Sequence, residues 1–259
     1  MIDTHSHISV GAFDEDREEL LRRAAEAGVT AILCPAVDSE DHEAMIAVCR
    51  ANPGFCLPMM GLHPTSVNDN PDWERELETV EKYLAAPPVE RFYAIGEAGL
   101  DLHWSRDFLA EQTVVFERQI ELALRYDLPL ALHIREAWPE TMGVLEKYTG
   151  RGLRGVAHAF SGGVDEYRFL RTVGDFVLGM GGPVTYKKNL WRTLLPQVDP
   201  AHIVLETDAP WLPPEPFRGQ RNESAYLPYI RDAAAAILGV SAGEVDCATT
   251  ANARRIFNL

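Results

Sequence analysis

His5-Ser6-His7 carries two imidazoles at alternate positions of a short strand, Ile2 to His7. Side chains alternate along a strand, so both rings point to one side. Further along, the apolar run Phe92 to Ile95 ends in one carboxylate, Glu97, between Gly96 and Gly99. A buried carboxylate is costly unless a cation or a donor meets it, and glycines let other groups come close to the backbone. His63, His133 and His158 each stand at the end of another apolar run, and Asp208 ends the last one. An isolated histidine is most often a hydrogen-bonded structural residue. Five of the chain's 8 histidines at strand ends, with two acids, are hard to explain that way.

Imidazole and carboxylate together suit zinc, manganese, iron or cobalt. His5, His7, His133, His158, Glu97 and Asp208 are too many ligands for one tetrahedral zinc. They suit two ions about 3.5–4 Å apart. His5, His7 and Asp208 could hold one ion, His133 and His158 the other, and Glu97 could bridge them. A water held by such a pair becomes a nucleophile near neutral pH, and Asp208 is placed to accept its proton. That is hydrolysis without a covalent intermediate. No serine elbow, phosphate-binding loop or cysteine–histidine signature competes with it. Glu206, two residues before Asp208, is a candidate for supporting a ligand from behind or for an extra ion.

These residues must be carried by elements that bring strand ends together. Continuous apolar runs at Val29–Ala36, Phe55–His63, Leu130–Ile134, Gly155–Ala159, Phe176–Met180 and Ile203–Leu205 read as buried parallel strands, joining those that carry His5 and Glu97. Helical stripes lie between them, at about Asp14–Gly28 with Asp14 as N-cap, Ser39–Ala51, Asp72–Ala85, Ala137–Tyr148 and Val164–Val173. Phe116, Ile120, Ala123 and Leu124 mark another helix, and Ala225 to Leu259 is helical with a break at Gly239. Strands alternating with helices over this length predict an α/β fold, a single-domain (β/α)₈ TIM barrel over residues 1–259, with the active site at the C-terminal ends of the strands. A doubly wound sheet would place a glycine-rich turn where His5-Ser6-His7 stands.

Composition sets the remaining bounds. The chain has 259 residues and a formal net charge of -15, which argues against a nucleic-acid coat protein. No segment has the length and apolarity of a membrane span, and Met1 to His5 does not open a signal peptide. Cys34, Cys49, Cys56 and Cys247 form no paired spacing and read as buried thiols in a reducing cytosol. Nothing marks an obligate protein partner.

Seven ordered blocks resemble the TatD family of metal-dependent deoxyribonucleases, within the amidohydrolase-like barrels. They are His5-Ser-His7, Gly61-Leu-His-Pro, Gly96-Glu-Ala-Gly-Leu-Asp, His133-Ile-Arg135, His158-Ala-Phe-Ser-Gly, Glu206-Thr-Asp-Ala-Pro and Arg218-Gly-Gln-Arg-Asn222. The likeness runs end to end, to Asn252-Ala-Arg-Arg-Ile-Phe257. It implies two divalent cations (zinc, magnesium or manganese) at His5, His7, Glu97, His133, His158 and Asp208. It implies 3′–5′ release of nucleotides from DNA ends, single strands favoured, with His63, Arg135, Arg221 and Asn222 near the substrate. Ala159, His103 and Ser224 depart from the residues usual in the family.

Two function classes therefore compete. One is a phosphodiester hydrolase, favoured by the rim cations Lys187, Lys188, Arg218 and Arg221. The other is an amide or ester hydrolase of the deacylase type, using the same ions. A non-catalytic metal-binding protein would not require all six ligands.

Overall fold

The computed structural model describes residues 1–259. Eight parallel strands follow one another: β1 (Ile2–Asp3), β2 (Ala31–Cys34), β3 (Cys56–Pro58), β4 (Ile95–Asp101), β5 (Leu130–Arg135), β6 (Arg154–Ala157), β7 (Asp175–Met180) and β8 (Ile203–Leu205). They form two sheets, in order β1-β2-β3 and β4-β5-β6-β7-β8. Hydrogen bonds outside the regular ladders join the sheets at both seams. Thr4 N donates to Leu205 O at 3.0 Å on one side, and Met60 N donates to Ala94 O at 3.1 Å on the other. The bridges Ser6 to Ala209 and Met60 to Ile95 lie at the same seams. The result is the closed (β/α)₈ barrel that the alternation predicts.

The helices are α1 (Arg17–Glu26), α2 (Ser39–Ala51), α3 (Trp73–Ala85), α4 (Leu109–Tyr126), α5 (Trp138–Glu146), α6 (Val164–Val173), α7 (Trp191–Leu194), α8 (Leu227–Leu238) and α9 (Ala242–Phe257). Their limits follow local chemistry. The Asp38 carboxylate accepts from Glu40 N to start α2, and a Ser241–Glu244 capping box starts α9. Gly239, in the left-handed region, ends α8. Asp14 does not cap α1; it closes a short 3₁₀ turn, Gly11–Phe13, that delays the helix to Arg17.

Strand side chains divide by period two. Ile2, Ala31, Leu33, Leu57, Met59, Ala131, Val156, Val177 and Val204 fill the barrel, while Ile32 and Cys34 face the helices. Ile256 and Phe257 of α9 join the inner cluster and plug the end opposite the site. No helix is long and apolar enough to cross a membrane. Cys34, Cys49 and Cys56 are buried free thiols, but Cys247 is exposed, contrary to the sequence reading. It lies off the face of α9 that buries Val245, Thr249 and Ile256.

Two buried glutamines of α4 act as strand partners. Gln119 accepts from Leu62 N at 2.9 Å and donates to Leu62 O at 3.0 Å. Gln112, two helical turns earlier, does the same for Asp101 at 2.9 and 3.0 Å. They fix the backbone next to His63 and at Asp101. Gln119→Leu keeps the volume but leaves a buried N–H and C=O unpaired, at about 1–3 kcal/mol each. A loss of about 2–5 kcal/mol in urea unfolding is expected; a change under about 0.5 kcal/mol would show that the pairing does not matter.

Candidate active site

The barrel brings every predicted ligand to one place. Glu97 lies at its centre, 2% exposed, and its two oxygens face different histidines. Oε2 is 3.3 Å from His5 Nε2 and 3.1 Å from His7 Nε2. Oε1 is 3.0 Å from His133 Nδ1, and 3.7 Å from both His63 Nε2 and His158 Nε2. Asp208 Oδ1 stands 3.8 Å from His7 Nε2 and 3.7 Å from His158 Nε2, on the far side of the cluster.

Glu97 is not at a strand end, as its apolar run suggested, but inside β4, which continues to Asp101. Gly99 permits this. It has φ +155°, and a Cβ there would meet His133 O at 1.9 Å. Strand β4 thus runs close against β5 and delivers Asp101 four residues beyond Glu97. Asp101 Oδ2 meets His133 Nε2 at 2.9 Å. That contact fixes the ring and directs Nδ1 at Glu97, the arrangement by which outer carboxylates orient metal-ligating histidines. Sequence reasoning gave Asp101 no role, although its even spacing from Glu97 was a signal.

The final turn is built from β1 and β8 together. Asp3, fully buried, accepts from Thr207 N at 2.9 Å, Thr207 Oγ1 at 2.6 Å and His5 N at 3.3 Å. Asp208 N donates to His5 O at 2.9 Å. Asp208, Ala159 and Glu136 all have positive φ, at 58°, 43° and 54°. Each follows a site-bearing strand, where strained backbone commonly marks function. Glu206 is fully buried with Oε1 accepting from Ala159 N at 2.6 Å. The same oxygen lies 3.1 Å from His158 Nδ1, off the line of a good hydrogen bond. Gly179 makes room for it, since a Cβ there would meet Glu206 Oε2 at 2.2 Å.

Three triads have ligand atoms within 4.8 Å of one another: His5–His7–Glu97, His5–His158–Asp208 and His63–Glu97–His133. They differ from the expected grouping in one respect. The His158 ring stacks on His5 with centroids 3.4 Å apart and lies 6.4 Å from His133, whose close neighbour is His63. His63 Nε2 therefore stands within 3.7 Å of Glu97 Oε1, beside the ligands and not only on the substrate rim.

The donor chemistry fits divalent cations. His5 Nε2 and His7 Nε2 are 3.2 Å apart, and both aim at one carboxylate oxygen. Nδ1 of His5 and of His7 is buried with no partner. Burial would raise the Glu97 carboxyl, yet the surrounding His5, His63 and His133 hold it well below the usual range. Burial also opposes charge on His158, but Glu206 and Asp208 outweigh it and push the ring up to about 10. His133 is likewise raised against its burial, by Asp101 and Glu97. Burial, helped by His133, takes His63 down to about 3.

Ligating imidazoles must be neutral, so cation uptake near pH 7 has to expel the proton held by His158. Affinity then rises with pH. Release of about one proton per chain is expected when metal is added to the chelator-treated protein in weak buffer; no proton release would refute this charge state.

The predicted substrate groups separate. Arg135 is exposed and has no carboxylate partner; its guanidinium lies 5.5 Å from the centroid of the Trp104 ring. Lys187 and Lys188 are exposed and unpaired, and Lys188, not Lys187, lines the hollow beside Asp208. Arg221 is already engaged, donating to Ala12 O and Asp16 Oδ2 at 2.6 Å each. Asn222 is fully buried and donates to Thr207 O at 2.7 Å and Trp211 O at 2.6 Å, so it has no free donor for a substrate. It fastens the loop after Asp208. Sequence reasoning missed Trp211, 50% exposed, whose ring sits edge-on to His7 at 4.9 Å. A surface hollow of about 920 Å³ beside α1 and α2 shares no residue with this cluster.

The family model for TatD-related DNases matches residues 2–258. A Bacillus subtilis protein called an uncharacterized metal-dependent hydrolase, YabD, is 31% identical over 100% of this chain and 99% of its own length. The 3′-5′ ssDNA/RNA exonuclease TatD of Erwinia tasmaniensis is 32% identical, with 100% of both chains covered. The crystal structure of the TatD homologue YjjV from Escherichia coli superposes with a TM-score of 0.89 at 31% identity, covering 100% of this chain and 98% of that one. Sequence, barrel and ligand cluster agree, and the chain belongs to the TatD-related DNase family of metal-dependent hydrolases.

Proposed function

We propose that this protein hydrolyses phosphodiester bonds at the ends of single-stranded DNA or RNA, using two divalent cations (zinc, magnesium or manganese) at His5, His7, Glu97, His133, His158 and Asp208. The observation that carries this is the division of Glu97. Its two oxygens face separate histidine sets, the geometry of a bridging carboxylate. Its relatives named as ssDNA/RNA exonucleases support the choice of substrate.

Cations bound there would supply Lewis acidity, which polarises a phosphoryl oxygen and makes water nucleophilic near neutral pH. The chain's own residues do the rest. Asp208 accepts the proton of the attacking water at a carboxylate oxygen. Asp101 keeps the ring of His133 oriented, and the Glu206 carboxylate sets its charge beside His158. Arg135 meets a flanking phosphate, and Trp104 beside it offers an exposed face on which a base can stack. The same reading treats residues 1–259 as one catalytic domain of the cytoplasm, with no obligate protein partner.

Product analysis on end-labelled single- and double-stranded DNA, with magnesium, manganese or zinc and a chelated control, tests this. Release of mononucleotides from one end is expected. Inactivity on all nucleic acids, with metal-dependent cleavage of amides or esters, would instead favour the deacylase reading.

An acidic protein with few free rim cations cannot follow many phosphates. The slope of log K against log salt for a single strand is about −0.7 per phosphate neutralised. With Arg135 and Lys188 as donors, a total slope of about −1 to −2 is expected, and Arg135→Ala should reduce it by somewhat under one unit. Salt titration of a metal-loaded, slowed variant measures it; a slope near about −5 would require a long basic track.

A further inference from the structure

A hollow of about 290 Å³ opens beside Asp208, between the segments that follow β6, β7 and β8. Glu206 and Asp208 lie in its wall, so it is continuous with the metal centre. Phe160 and Trp191, both buried and tilted 57° to one another, form part of an apolar wall that Pro183, Leu190 and Leu212 extend. Lys188 lines it and has no carboxylate partner. Glu206 uses Oε1 for Ala159 N but leaves Oε2 buried and without a partner. One space thus offers an apolar wall, one cation, and an acceptor that needs a donor.

We infer that this hollow receives the terminal nucleoside of the strand, an inference that rests on the phosphodiesterase reading above. The base lies against the apolar wall that includes Leu212 and Leu190, a sugar hydroxyl donates to Glu206, and the Lys188 ammonium meets a phosphate oxygen. Phosphate between Lys188 and the Glu97–Asp208 cluster then places the first internucleotide bond at the ligands. Size sets the mode of action. Small-molecule sites run from about 300 to 1,000 Å³, so this hollow, at the lower limit, has room for one nucleoside and not for two. A site that accepts one terminal residue can cut only the first linkage. The prediction is release of single nucleotides from an end, with closed circles resistant. The wall recognises shape and apolar area and reads no base edge, so the four bases should be cleaved at similar rates.

Two variants test it in the metal-loaded protein: Ser161→Trp, which fills the hollow from its exposed edge, and Lys188→Ala, which removes the cation. Binding of thymidine 5′-monophosphate is measured by calorimetry, beside digestion of an end-labelled single-stranded oligonucleotide. Metal content and melting temperature serve as controls. Ser161→Trp is expected to weaken thymidylate at least about tenfold and to suppress mononucleotide release. Lys188→Ala should weaken thymidylate several-fold and lower its salt dependence. If both variants bind thymidylate and digest DNA like the parent, the hollow is not the nucleoside site, although the phosphodiesterase reading stands. If the parent protein neither binds thymidylate nor digests nucleic acid, both readings fall together.

Discussion

Glu97→Ala is expected to leave the protein without tightly held metal and with less than about 1% of its activity. Loss of a residue that merely orients a ligand commonly costs about 10–100-fold. Glu97 is in contact with both histidine sets, through Oε2 to His5 and His7 and through Oε1 to His133. Alanine there removes a ligand from each of the two positions at once. It also removes one of the two carboxylates, with Asp101, that hold His133 above its usual value in the ion-free protein. Breaking a buried pair from one side costs about 3–5 kcal/mol, so the chelator-treated variant should also melt earlier at acid pH than the chelator-treated parent. Glu97→Gln separates shape from charge. It keeps one oxygen and should retain partial, weaker metal binding. Elemental analysis after dialysis, with two ions still tightly bound to Glu97→Ala, would eliminate the bridge.

The histidines and Asp208 were legible because parallel strands are read as apolar runs and barrel sites lie at their ends. The position of Glu97 was not. Apolarity marks burial, and Phe92 and Ala94 are buried, but Tyr93 N bonds to Pro58 O before the regular ladder of β4 begins at Ile95. Gly99 looked like the end of the strand, whereas its missing side chain is what lets β4 run on past His133. Asp101 was overlooked for that reason. The rim was least legible, because whether a cation is free depends on partners remote in sequence. Arg221 pairs with Asp16 across the barrel seam, and Asn222 is used by the backbone of Thr207 and Trp211. No local pattern records either fact. Gln112 and Gln119 likewise read as ordinary positions on a helix; only their neighbours make them substitutes for a strand.

Asp208→Asn is expected to lower kcat by about 10²–10⁴-fold, the range for loss of a general base, while metal content stays close to that of the parent. Asparagine keeps an oxygen for coordination and nearly the same shape, but it cannot accept a proton. The backbone favours this test. Asp208 has φ 58°, and asparagine is among the residues that tolerate this region best, so the turn fixed by Asp3 and Thr207 should survive. Asp208→Ala would add strain to the loss of the carboxylate and confuse the two effects. Geometry also separates Asp208 from Glu97. Its side chain is 13% exposed against 3% for Glu97, so it is the carboxylate nearer to where water enters. Burial raises its carboxyl, and the neighbouring His158, His5 and His7 oppose that rise. A base works only when deprotonated, so the rate of the parent should climb as pH passes upward through the value for Asp208 in the loaded enzyme. The asparagine variant should lack that limb while its metal content follows the same pH dependence as the parent's. Single-turnover rates on end-labelled single-stranded DNA, with metal analysis on the same samples, give both quantities. A variant that keeps its ions and turns over within about threefold of the parent would show that Asp208 is a ligand only and that another group takes the proton.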